Sequence, residues 1–141
     1  MRNSVLVDAG PLIALFDRSD RHHLPVRQLL RDQRFNLVTT WPVVTEASHI
    51  LRFDVNCQLA LLTWIERKGL GILDIGWEDV GVVREMVSKY RNVPMDLADA
   101  TLVYAAEKYQ IMRILTMDSD FHVYRTQLNA TLKAIFVSQS P

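Results

Sequence analysis

The chain has 141 residues, 49% of them hydrophobic and 23% charged, a composition expected to fold as one globular domain over 1–141 with its own core. Its 16 basic and 16 acidic side chains cancel, so no global field draws in nucleic acid and any such site must be a local patch. The lone cysteine, Cys57, excludes an intramolecular disulfide, and no uncharged run exceeds eleven residues, against the roughly 20 that a bilayer crossing needs.

A strand-like run, Ser4-Val5-Leu6-Val7, begins almost at once and leaves no room for a signal peptide, so a soluble cytoplasmic protein is expected. Short apolar runs predict strands at 5–7, 37–39, 70–73, 114–116 and 134–137, the third flanked by glycines. Helical spacing predicts helices between them. The first, 11–16, starts at a Gly-Pro that suits a first helical turn. A second, 24–34, carries Val26, Leu29 and Leu30 on one face, and a third, 42–52, carries Val43, Ala47 and Ile50. Next comes 55–68 with Leu59, Leu62 and Ile65, stopped at Gly69. Helices at 78–90 and 97–109 follow, the second capped by Asp96. Short strands alternating with helices predict a three-layer α/β/α sandwich around a central, mostly parallel sheet of four to five strands.

In such a fold each crossover helix runs back against the strands. Helix N-termini and strand C-termini therefore share one edge, and ligands bind there. Four acids map to that edge. Asp8 ends the first strand, Glu46 lies in the first turns of the helix after strand two, Asp99 opens the helix before strand four, and Asp118 follows strand four. Singly, Asp8, Asp99 and Asp118 read as caps or turn residues. Glu46 lies beyond any capping turn, among Val43, Val44 and Ala47. Four acids on one edge point instead to a shared site. Carboxylates crowded in a partly desolvated cleft repel, and some must protonate unless a cation neutralises them. Hard oxygen donors suit Mg²⁺ or Mn²⁺, which keep waters and bridge to phosphates. His22, His23, His49 and His122 lack the spacing of a zinc site.

These segments resemble the PIN-domain nucleases. Val5 to Leu15, through Asp8-Ala9-Gly10-Pro11, looks like the family's opening strand and turn. Pro42-Val43-Val44-Thr45-Glu46 resembles its second acidic motif, Met95-Asp96-Leu97-Ala98-Asp99-Ala100-Thr101 its third, and Leu115-Thr116-Met117-Asp118-Ser119-Asp120-Phe121 its fourth. The match runs through the whole chain in order. The resemblance implies that Asp8, Glu46, Asp99 and Asp118 ligate Mg²⁺ or Mn²⁺ for RNA cleavage, with Thr116 supporting them. It also implies a VapC-type toxin held inactive by a protein antitoxin, and a homodimer. Gly10 stands where some members carry Ser or Thr.

Other residues have plainer readings. Asp120 is a candidate for a water-mediated metal contact. Arg27, Arg31 and Arg34 recur at helical spacing, and with Arg18, Arg21, His22 and His23 they form the best local basic patch. They read either as a solvated face or as a phosphate contact. Trp41, Trp64 and Trp77 read as core or interface anchors and Cys57 as an inert buried thiol. The apolar helices 12–16 and 43–51 read as core elements, with a dimer or antitoxin surface as the alternative. A haloacid-type phosphatase needs Asp-x-Asp where Gly10 stands, a receiver domain needs an adjacent acidic pair, and no P-loop is present. A housekeeping nuclease and an inactive binding module of the same fold stay open as alternatives.

Overall fold

The computed structural model describes residues 3–136. Strands β1 (Ser4–Val7), β2 (Asn36–Thr39), β3 (Gly71–Ile72), β4 (Arg113–Thr116) and β5 (Lys133–Phe136) form one sheet in the order β3-β2-β1-β4-β5. Every neighbouring pair is parallel. Val137, the predicted end of β5, lies outside the described residues. Helices α1 (Ala9–Phe16), α2 (His23–Gln33), α3 (Trp41–Ile50), α4 (Val55–Glu66), α5 (Val80–Lys89) and α6 (Leu97–Tyr109) make the connections.

The chain steps from β1 outward through β2 to β3, then returns past β1 to β4. Parallel crossovers are right-handed, so the reversal puts α1 to α4 on one face of the sheet and α5 and α6 on the other. It also makes the gap between β1 and β4 the place where the two directions diverge. Crevices in open parallel sheets form at that point.

β1 is buried along its whole length, as a central strand covered on both faces must be. α6 is buried nearly all round, and Ala98, Ala100, Ala105 and Ala106 let it lie close against its neighbours. The largest fully buried side chains include Tyr124, Phe121, Leu6, Leu12, Leu51, Leu61 and Leu102. Each apolar side chain of this kind stabilises the fold by about 1.5–3 kcal/mol relative to exposure. Val43, Val44, Ala47, Leu12 and Ala14 are buried, so the inner faces of α1 and α3 serve the core.

Three local differences from the sequence reading have physical causes. α1 starts at Ala9, two residues early, because Asp8 caps it. α4 ends at Glu66, and the left-handed residue is Lys68 (φ 66°) rather than Gly69. Gly69 is required for another reason: a Cβ there would lie 1.8 Å from Trp64 Nε1. The predicted helix 78–90 splits into a 3-10 turn, Trp77–Asp79, followed by α5. Asp79 makes the break by accepting from the Gly76 amide at 2.8 Å and from Lys108 Nζ at 2.9 Å.

Candidate active site

All four predicted acids stand on the C-terminal edge of the sheet, around the gap between β1 and β4. Asp8 follows β1, Asp118 follows β4, and Asp99 lies in the first turn of α6. One carboxylate oxygen from each of these three falls within 4.8 Å of the others. Glu46, from α3, lines the same cleft but stands outside that trio. The cleft, of about 440 Å³, is lined by Asp8, Glu46, Asp96, Asp99 and Asp118 with Gly10, Ile13, Ile50 and Met117. Among the described residues no basic side chain lines it.

Capping and clustering are both true of these acids. Asp8 Oδ1 accepts from the Ala9 amide at 2.8 Å and so starts α1. Its Oδ2 accepts from the Thr116 hydroxyl at 2.9 Å. The same hydroxyl oxygen accepts from the Asp118 amide at 2.9 Å. Thr116, fully buried at the end of β4, therefore ties Asp8 to Asp118 across the gap between the strands. Asp118 Oδ1 accepts from the Asp120 amide at 2.9 Å and opens the 3-10 turn Ser119–His122. Asp96 caps α6, its Oδ1 accepting from the Asp99 amide at 2.7 Å, as its position predicts.

The electrostatic cost of this packing shows in the proton affinities. Burial first, then the charges of Asp96, Asp8 and Asp118, push Asp99 from 3.8 up to about 8. Burial also raises Asp8, against the lowering effect of the Ala9 amide and the Thr116 hydroxyl. Glu46 is raised by burial and then by Asp96, Asp8 and Asp118. A cleft of crowded oxygens with no cation among its lining residues fits a hard divalent cation. Asp8, Asp99 and Asp118 are the residues that would hold it, with Glu46 beside them.

The remaining candidates scatter. The Asp120 side chain does not line the cleft, although its amide orients Asp118. Arg18, Arg27 and Arg31 line a separate groove of about 1210 Å³ between α1, α2 and α4, with Leu15, Phe16, Leu30, Phe53 and Trp64. Arg21 is exposed in the loop between α1 and α2. Any phosphate these arginines hold lies beyond the cleft. Cys57 is half-buried and lines the groove, so it is not the interior thiol expected; its helix presents it at the margin of α4. Trp64 packs against Phe16 with ring centroids 5.6 Å apart, whereas Trp41 and Trp77 are exposed, Trp77 at 92%. Those two are not core anchors: each is the first residue of its helical turn, with its side chain left exposed.

One residue at the site escaped sequence reasoning. The Tyr124 hydroxyl lies 3.3 Å from Asp99 Oδ2 and 3.3 Å from the Pro94 carbonyl oxygen. It stands 25 positions from Asp99, outside every acidic motif, and no periodicity links the two.

Fold and cleft together define a parallel-sheet α/β protein with a carboxylate cluster at the point where the strand order reverses. Residues 5–126 match the family model of the PIN domain, and the chain belongs to that family. It is 27% identical over 116 residues to Ribonuclease VapC26 of Mycobacterium tuberculosis, an alignment spanning 81% of this chain and 86% of that protein. The crystal structure of Mycobacterium tuberculosis VapC20, described as a sarcin-ricin loop cleaving toxin, matches with a TM-score of 0.76. That match is one of fold: identity is 16%, over 84% of this chain and 93% of the other.

Proposed function

We propose that this chain is a metal-dependent endoribonuclease and the toxin of a type II toxin–antitoxin pair. The observation that carries the proposal is the trio Asp8, Asp99 and Asp118, held within 4.8 Å with no cation among the residues lining their cleft. The PIN-domain match and the VapC ribonuclease relative supply the reaction class. Asp8, Glu46, Asp99 and Asp118 act as the metal-holding set, with Mg²⁺ or Mn²⁺ as the ion. Bound there, the ion supplies a more acidic water and neutralises charge that builds on the phosphate. The chain's own part is to orient its carboxylates, which for Asp8 and Asp118 the Thr116 hydroxyl and the amides of Ala9 and Asp120 do through the hydrogen bonds above.

The groove between α1, α2 and α4 suits the antitoxin. Its apolar floor and its arginines match a segment carrying apolar side chains and carboxylates, a helix-in-groove form of recognition. Purified protein should cut single-stranded RNA with Mn²⁺ and stop when EDTA is added, and expression without a partner should arrest growth. RNA cleavage indifferent to EDTA would overturn the metal mechanism. Unimpaired growth at high expression would overturn the toxin assignment alone.

A further inference from the structure

Each carboxylate of the trio is held by hydrogen-bond donors that fix its orientation. For Asp8 they are the Ala9 amide and the Thr116 hydroxyl, and for Asp118 the Asp120 amide. These holders lie within the acidic motifs themselves. Asp99 differs. Among the described residues its carboxylate accepts from one group only, the hydroxyl of Tyr124.

Tyr124 is built to stay in place. It is fully buried, and its ring packs edge-on against Tyr90, with centroids 5.2 Å apart, and against Phe121, at 5.3 Å. The Tyr90 hydroxyl accepts from the Arg125 amide at 2.7 Å, and the Tyr124 amide donates to the Asp120 carbonyl at 3.2 Å. The Arg125 guanidinium closes the turn by donating to the carbonyls of His122, Val123 and Tyr124. The segment after the 3-10 turn is thus fastened to the end of α5 and delivers one hydroxyl to α6. Carboxylates that bind metal are commonly oriented by such an outer hydrogen bond, whose loss weakens metal binding.

We infer that Tyr124 is a positioning residue for the metal site, its hydroxyl setting the rotation of the Asp99 carboxylate so that the trio presents a preorganised oxygen face to a divalent cation. This rests on the metal-dependent reading above. Because the hydroxyl has one proton and also faces the Pro94 carbonyl at 3.3 Å, the bond to Asp99 is a shared one. Its effect should fall at the lower end of that seen for outer partners, about tenfold in affinity.

The test is a calorimetric titration of the RNA-free protein with Mn²⁺ alone, for wild type, Tyr124→Phe and Tyr109→Phe. Each variant loses one tyrosine hydroxyl, that of Tyr109 donating to the Asp74 carbonyl at 2.8 Å at the far end of α6, but only Tyr124→Phe loses the bond to Asp99. Tyr124→Phe should raise the Kd for Mn²⁺ about tenfold, while Tyr109→Phe should leave the Kd within about twofold of wild type. An unchanged Kd in Tyr124→Phe, or an equal loss in Tyr109→Phe, would overturn the positioning role and leave the metal site standing. Absence of Mn²⁺ binding in the wild type would overturn the metal site itself, and the inference with it. Should Tyr124→Phe not fold, 3-fluorotyrosine at position 124 gives the same answer without deleting the hydroxyl. Its fluorine resonance should shift during a Mg²⁺ titration with the Kd that a calorimetric titration with Mg²⁺ gives, and a resonance that does not move would overturn the inference.

Discussion

Two recesses lie toward opposite ends of α1. At its N-terminus, Asp8, Ala9 and Gly10 border the cleft of about 440 Å³, crowded with carboxylates. At its C-terminus, Leu15, Phe16 and Asp17 border the groove of about 1210 Å³, apolar with arginines at its edge. The eight residues of α1 separate them by about 12 Å of helix rise. The larger recess has the apolar surface proposed for a partner, and the smaller one holds the carboxylates of the proposed metal site. Volume alone would favour the larger, whereas crowded like charge, costly to maintain without a ligand, favours the smaller as the site of chemistry.

The largest expected effect separates the two recesses by activity. Asp8→Asn or Asp99→Asn removes a charge from the trio while keeping side-chain shape, and either should lower Mn²⁺-dependent RNA cleavage by about a hundredfold or more, since even outer partners of a metal site cost 10–100-fold. Binding of a partner at the groove should be unaffected. Wild-type cleavage in a purified, folded variant would remove that acid from the site.

The converse substitution is made in the groove. Phe53 lines it and is 63% exposed, so Phe53→Asp tests the surface with little cost to the core. Affinity for the antitoxin should fall about tenfold, the scale of an interface anchor, while RNA cleavage without antitoxin stays at the wild-type rate. Equal antitoxin affinity, measured by calorimetry, would place the partner elsewhere.

A smaller effect sharpens the electrostatic side of the comparison. In metal-free protein the folded state holds a proton on Asp99 up to about pH 8, whereas an aspartate's ordinary value is 3.8. The folded chain therefore binds more protons across that window. The stabilisation is complete below about 3.8 and is lost as pH rises through about 8. With EDTA, the Tm should be several degrees lower at pH 8.5 than at pH 6, as about 1 kcal/mol moves the Tm of a chain this size by about 4 °C. Mn²⁺ should recover the loss at pH 8.5, because a ligand of the native state stabilises it by mass action. Asp99→Asn should flatten the pH response and gain less from Mn²⁺; melts identical to wild type under all four conditions would show that Asp99 does not share a crowded site.

Much of this protein could be read from its sequence because the relevant signals are local. The strand cores, all six helices and the edge on which Asp8, Glu46, Asp99 and Asp118 stand follow from period, turn residues and the alternation of a parallel sheet. The cap at Asp96 was legible for the same reason, since a cap is an interaction with the next few amides. Contacts across the fold were not. Trp77 is a large aromatic yet exposed, Gly69 answers to Trp64 rather than to helix termination, and Arg18, Arg27 and Arg31 line the groove rather than the acidic cleft. Nor could spacing show that one Thr116 hydroxyl bridges Asp8 and Asp118, or that Tyr124 reaches Asp99. Sequence alone determined which residue types sit on which edge. Only the tertiary structure decided which oxygens meet, because side-chain distances between residues far apart in the chain depend on how strands and helices pack, and no local pattern encodes them.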